Sequence, residues 1–125
     1  MLNKKIILMN KICTSIGQSN LLIEFGVDVK TADMRIGSYV GKSGKVDGTN
    51  VHYYTKDESF GAPKIIPGWS LSALLDLMND KSGIAKEYGT WFSYDNEERH
   101  CSKHYDNPLD AAFEMVVWLK QNKKI

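Results

Sequence analysis

The stretch from Asn107 to Gln121 constrains the fold of this chain more than any other. Asn107 is a good N-cap, Pro108 suits the first helical position, and Asp110 falls in the first turn, where the helix dipole favours an acid. Past that start, Leu109, Ala112, Phe113, Val116 and Leu119 recur at helical spacing and make a core-facing stripe. Ala111, Met115 and Trp118 fall on the opposite side, so the helix is apolar nearly all round. Such a helix is either central to its domain or covered by a partner. In a chain of 125 residues, enough for one core and short of two, a homodimer contact through Met115 and Trp118 is the expectation.

Two further helices announce themselves by their caps. Ser15 and Gln18 have capping-box spacing ahead of a short helix from Ile16 to Phe25, with Gly26 placed to end it and Val27 to fold back on Leu22. Thr31 to Ile36 is read as another helical turn before Gly37. Ser70 caps a helix from Leu71 to Met78, Trp69 stapling onto Leu74, with Leu71, Leu74, Leu75 and Met78 as its buried stripe.

Strands are expected between the helices. Asp47-Gly48 is a two-residue hairpin signal, because both positions tolerate positive φ. Pairing outward from it sets Val46 opposite Thr49, Gly44 opposite Val51 and Lys42 opposite Tyr53. Val40, Val46, Val51 and Tyr53 then share a core face; Tyr39, Ser43, Lys45, Asn50, His52 and Tyr54 share a wet one. A loop with Pro63 and Pro67 follows. The second hairpin runs over 88–94 and 99–105, turning through Asp95-Asn96-Glu97-Glu98. Tyr88, Phe92, Tyr94, Cys101 and Tyr105 lie on one side, the core side; Trp91, Ser93, His100, Ser102 and His104 lie on the other. The resulting order, α-ββ-α-ββ-α, predicts an α+β domain over 15–125 with a four-stranded antiparallel sheet, after a flexible segment over 1–14.

Composition and charge narrow the function classes. The chain is 42% hydrophobic and 25% charged, the balance of a globular protein, which excludes wholesale disorder. Sixteen basic residues face fifteen acidic ones, so no electrostatic partner is implied, and the basic excess common in nucleic-acid binders is absent. Two cysteines, Cys13 and Cys101, make no disulfide framework and fit a reducing compartment. The apolar run after Lys4-Lys5 stops at Asn10-Lys11, too short for a secretory signal, and no stretch approaches a membrane span. These features point to a cytoplasmic protein with no membrane partner; Met9 is an alternative start.

The motifs that resemble chemistry fail on spacing. Gly37-Ser-Tyr-Val-Gly41-Lys42-Ser43 has three residues between its glycines where a phosphate loop needs four, and no helix follows. His100-Cys101-Ser-Lys-His104 contains metal-ligand types, but strand residues four apart lie roughly 13 Å from each other and neighbours face opposite ways. No metal or cofactor is indicated. A cysteine directed into the core is inert, so Cys101 with a histidine makes a poor nucleophile and base. Glu97-Glu98, Asp76 and Asp80 read as solvated charge. No nucleophile, base and orienting group stand at credible spacing, and no catalytic residue is assigned.

The aromatic residues are more informative. Tyr39, His52, Tyr54, Trp91 and His100 gather on the expected outer sheet face. There they form a binding surface or lie under the loop between Phe60 and Trp69. With Met115 and Trp118 on the last helix, these seven residues make up the candidate binding surface.

Several segments resemble a family of short, uncharacterised proteins encoded in gut Bacteroidales genomes, often in prophages and other mobile elements. The residues concerned are 15–28 (Ser-Ile-Gly-Gln-Ser-Asn-Leu-Leu-Ile-Glu-Phe-Gly-Val-Asp), Thr31-Ala-Asp-Met34, the block 66–78 around Trp69-Ser-Leu-Ser-Ala-Leu-Leu75, and 106–115 beginning Asp106-Asn-Pro-Leu-Asp-Ala. The resemblance covers about a third of the chain and implies a bacterial or phage cytoplasmic setting, in which small proteins often act by binding. It carries no catalytic residue. The expected function is therefore a small non-enzymatic module that binds a protein partner or its own twin. The alternative is nucleic-acid binding, with aromatics for stacking beside Lys42, Lys45, Lys56 and Arg99. A small-molecule-binding protein or enzyme is the third reading.

Overall fold

Three capping side chains set where the helices begin in the structure, a computed structural model that describes residues 11–40, 46–55 and 64–125. Ser15 and Gln18 form the capping box of α1 (Ile16–Glu24), Gln18 N donating to Ser15 Oγ at 3.1 Å and Ser15 N to Gln18 Oε1 at 3.0 Å. Gly26, at φ 91°, closes this helix: its N–H reaches the Ile23 carbonyl and that of Val27 the Leu22 carbonyl. Ser70 Oγ accepts from Ala73 N at the start of α2 (Leu71–Leu77). Asn107 Oδ1 accepts from Asp110 N, with Pro108 first in α3 (Pro108–Gln121).

The strands form two three-stranded antiparallel sheets where the sequence suggested a single sheet of four. The first contains β1 (Met34–Val40), β2 (Val46–Thr55) and β3 (Lys64–Gly68) in the order β2-β1-β3. The second contains β4 (Ser82–Glu87), β5 (Thr90–Asp95) and β6 (His100–Cys101) in sequence order.

Four local expectations are corrected here. Residues 34–36 are strand, the only helical turn nearby being the 3-10 turn Val29–Thr31. Asp47-Gly48 lies inside β2, because Val40 pairs with Val46 and Ile36 with Tyr53. The Asp-Gly turn signal is thus overridden by the long pairing of β1 with β2; residues 41–45 lie outside those described. Part of the expected proline loop is β3, in which Pro67 stands opposite Arg35; an edge strand tolerates the missing N–H. Lys11 to Thr14, expected in the flexible segment, belong to the fold: Cys13 and Thr14 are buried, and Thr14 N donates to the Trp69 carbonyl.

Trp69 is the anchor of the core. Fully buried, it donates its backbone N–H to Thr14 Oγ1 at 3.1 Å and its indole Nε1–H to Thr31 Oγ1 at 2.9 Å. It packs with Leu22, Val27, Leu74, Leu109, Ala112 and Val116, and Leu77, Met78 and Ile84 close around them. Leu75, expected in the α2 stripe, is exposed instead. Cys13, Ile36 and Ile66 form a smaller cluster under the first sheet.

The apolar helix is central. α3 packs against β5, β4, α2 and α1, so elements of the same chain cover both of its sides. Ala111 and Met115 are as fully buried as Val116 and Leu119. Met115 therefore offers no binding surface, and an α3-face homodimer through it is corrected to an intramolecular core contact. Among the described residues, no helix is long and apolar enough to cross a membrane.

Candidate functional site

The second sheet turns the opposite face inward from the one its hydrophobic pattern suggests. Tyr88 and Gly89, at φ 51° and 79°, form a two-residue turn between β4 and β5, whereas Tyr88 was expected in a strand. Asp95 pairs with His100 and Tyr94 with Cys101, leaving 96–99 as the turn. Further along, Trp91 pairs with Tyr105 through Trp91 N to Tyr105 O at 2.8 Å and Tyr105 N to Trp91 O at 2.7 Å. The pairing thus slips by one residue between Cys101 and Tyr105. That slip moves Tyr105 to the Trp91 side and His104 to the Phe92 side, reversing both expectations.

Ser93 and Asp95, on the Trp91–His100 side, are fully buried, while Cys101 on the opposite side is exposed. The face expected to be outer is therefore the one packed on α3, and Cys101 is no core cysteine. The other face carries its own ring cluster, Phe92 and Tyr94 half-buried and His104 exposed: Phe92 and His104 have centroids 5.1 Å apart, and Phe92 and Tyr94 6.4 Å.

Where β6 meets α3, the inward face opens into a cleft of about 370 Å³ lined by His100, Cys101, Lys103, Glu114, Val117, Trp118 and Gln121. His100 stacks on Trp118 with centroids 4.3 Å apart and planes 4° from parallel. The Lys124 ammonium lies 6.0 Å from the Trp118 ring and 3.4 and 3.5 Å from the carboxylates of Glu97 and Glu98. Burial works to lower the Lys124 pKa, but the two carboxylates outweigh it and hold it above the ordinary lysine value. Glu114 accepts from Lys103 N at 3.1 Å and from the Tyr105 hydroxyl at 2.6 Å. Burial, then the hydrogen bond to Glu114, then the charges of Glu114 and Asp110 push the Tyr105 phenol up to about 12.

Of the seven candidate residues, His100 and Trp118 are brought together as walls of this cleft. Trp91 lies on the same face of β5, half-buried, with the Lys86 ammonium 5.6 Å from its ring. Tyr39 stands in β1, and His52 and Tyr54 in β2, opposite Gly37 and Arg35. They belong to the other sheet and do not join Trp91 and His100 on one face. The loop expected to cover them, between Phe60 and Trp69, falls on residues 61–63, outside those described, and on β3. Met115 is core. Sequence reasoning did not find Lys103, Glu114, Val117 and Gln121; Glu114 and Gln121 stand four and three residues from Trp118 and so share its side of the helix, but are polar and leave no mark in an apolar pattern.

The remaining polar groups are structural. Asp110 ties the starts of α3 and α1 together, accepting from Lys11 Nζ at 2.9 Å, Gln18 Nε2 at 2.8 Å and Asn107 Nδ2 at 2.8 Å. Burial works to raise its pKa, but these hydrogen bonds and the Lys11 charge outweigh it, leaving the carboxyl below its ordinary value. Asp33 accepts from Ser70 N and the Ser70 hydroxyl beside a hollow of about 270 Å³. Among the described residues, no group of three or more His, Cys, Asp or Glu is placed to hold a metal ion. His100 and His104 serve different faces, one on Trp118 and one on Phe92.

Comparison with protein-family models, with curated proteins and with solved structures finds no match to this chain.

Proposed function

We propose that this protein is a small non-enzymatic binding module that engages a protein partner at the cleft between β6 and α3. The observation that carries this reading is the composition of the cleft: an apolar floor of Val117 and Trp118, rimmed by Lys103, Glu114 and Gln121. Its volume of about 370 Å³ is at the small end for a ligand site and fits an anchor pocket that receives one large side chain. The rest of a protein interface, about 800 Å² per side, would spread over the surrounding surface. His100 stacked on Trp118 keeps the floor rigid, so little ordering entropy is lost when a side chain enters.

A photoreactive crosslinker on the exposed Cys101 thiol tests this in host lysate. One protein species joined at Cys101, and lost when Lys103→Glu and Gln121→Arg are introduced together without change in melting temperature, supports the reading. No species, or one indifferent to those rim changes, overturns it.

One observation favours a second reading, nucleic-acid binding. The Phe92, Tyr94 and His104 rings cluster on the face of the second sheet opposite buried Ser93 and Asp95, His104 exposed and the other two half-buried, and successive aromatic rings on a sheet can stack bases. The near-balanced charge of the chain weighs against it. Gel retardation of single-stranded oligonucleotides decides: retardation that weakens with added salt and is lost in Phe92→Ala supports it, and its absence ends it.

A further inference from the structure

The packed side of β5 is polar at two positions where an apolar residue would be ordinary. Ser93 and Asp95 are 0% and 1% exposed, yet Ser93 Oγ and Asp95 Oδ1 find no hydrogen-bond partner among the described residues. The other groups of both residues are satisfied. Asp95 Oδ2 accepts from Glu98 N at 3.0 Å, Ser93 N donates to Ser102 Oγ at 2.8 Å, and the Ser93 carbonyl accepts from Ser102 N at 2.9 Å. The two orphans are thus confined to one strip of β5. Leaving a buried hydroxyl or carboxylate oxygen without a partner is strongly unfavourable, and native proteins rarely do so.

We infer that ordered water occupies the seam between β5 and α3, held jointly by Ser93 Oγ and Asp95 Oδ1. Strand geometry permits this: residues two apart share a face with their Cα atoms roughly 6.6 Å apart. Two hydrogen bonds through one water span about 5.6 Å, which side chains leaning together can match. Buried water is held by two to four polar groups, and these two supply an acceptor and a donor. One carboxylate oxygen and one hydroxyl are too few for a cation that takes six or more oxygens. Asp95 stands directly opposite His100, so the seam lies one residue behind the wall of the cleft.

A crystal structure of the full chain that resolves ordered solvent provides the test. Solvent density is expected within about 3.2 Å of both Ser93 Oγ and Asp95 Oδ1; a dry seam, or a protein donor turned onto Asp95 Oδ1, overturns the inference. Thermal melting of Ser93→Ala gives an independent readout. Removing a hydroxyl that holds water strips a partner from the water on which Asp95 Oδ1 depends, so the melting temperature falls. A rise would mark the hydroxyl as an orphan whose loss is favourable, and would equally overturn the inference.

Discussion

His100 and Trp118 lie face to face, 4.3 Å between ring centroids, and join the shortest strand of the second sheet to the central helix. β6 has only two residues and pairs with β5 at Tyr94 and Asp95 alone. The stack therefore adds a tie to this edge, beside the Ser93–Ser102 and Trp91–Tyr105 hydrogen bonds and those of Lys103 and Tyr105 to Glu114. Trp118→Ala is expected to lower stability by about 2–3 kcal/mol, and His100→Ala by about 1 kcal/mol. Chemical denaturation of both variants and their double mutant checks this; the coupling should be of the order of 1 kcal/mol, and strictly additive losses would show that the rings do not support each other.

The Asp110 network sets an acid limit. A carboxyl whose folded pKa lies below its unfolded value adds stability above the unfolded value, about 3.9, and that stability is lost as pH falls through the folded one. Asp110→Asn is therefore expected to be less stable than the parent at pH 7 and to show a shallower loss of stability below about pH 4. Urea titrations from pH 2 to 7 check both.

Tyr105 works in the opposite sense. Its phenol is pushed up from 10.0 to about 12, so its contribution is complete below pH 10 and fades as pH rises through 12. Tyr105→Phe removes one of the two donors to Glu114 and is expected to cost about 1–2 kcal/mol at neutral pH. Its stability should also fall less steeply between pH 10 and 12. Absorbance titration of the parent should show one tyrosine ionising later than an ordinary phenol.

The two cysteines should separate cleanly by reactivity. Burial, reinforced by the charge of Asp33 and opposed by that of Lys11, raises the Cys13 thiol to about 11, whereas Cys101 is exposed. A thiol-reactive dye at pH 8 is expected to label Cys101 quickly and Cys13 only after denaturant is added. Rapid labelling of both in the native protein would contradict the burial of Cys13 beneath the first sheet.

The Tyr88-Gly89 turn leaves room for stabilisation. Tyr88 is 95% exposed and holds φ 51° with no packing in return. Asparagine tolerates that conformation better, so Tyr88→Asn is expected to raise stability by roughly 0.5–1 kcal/mol. A thermal melt suffices to check it.

The helices were legible because their signals are local. Ser15 with Gln18, Ser70, and Asn107 with Pro108 each act within one turn, and each caps where the sequence places it. Of the second sheet, the β5–β6 hairpin was legible in outline, but β4 and the packed face were not, for three physical reasons. β4 reads Ser-Gly-Ile-Ala-Lys-Glu, with Ile84 its only strong strand former, so only its pairing with β5 marks it as a strand. Tyr88 is an unusual residue at positive φ and hides the turn. Ser93 and Asp95 are polar yet fully buried, while Phe92 and Tyr94 on the other face are only half-buried, which inverts the pattern that normally assigns a core face. Of the candidate surface, the Trp118 and His100 pair was within reach, since both were singled out on separate elements. Their contact was not, because it depends on which face of β5 packs on α3.

α3 is enclosed by its own chain, with Met115 fully buried and Glu114, Val117, Trp118 and Gln121 open to the cleft. The most direct test is Met115→Glu, followed by near-ultraviolet circular dichroism and light scattering on the full chain. A carboxylate placed at a 0% exposed site without a partner is expected to abolish the fixed aromatic signal and the cooperative melt. A variant that keeps both, and merely passes from dimer to monomer, would contradict the account and place Met115 on an intermolecular surface.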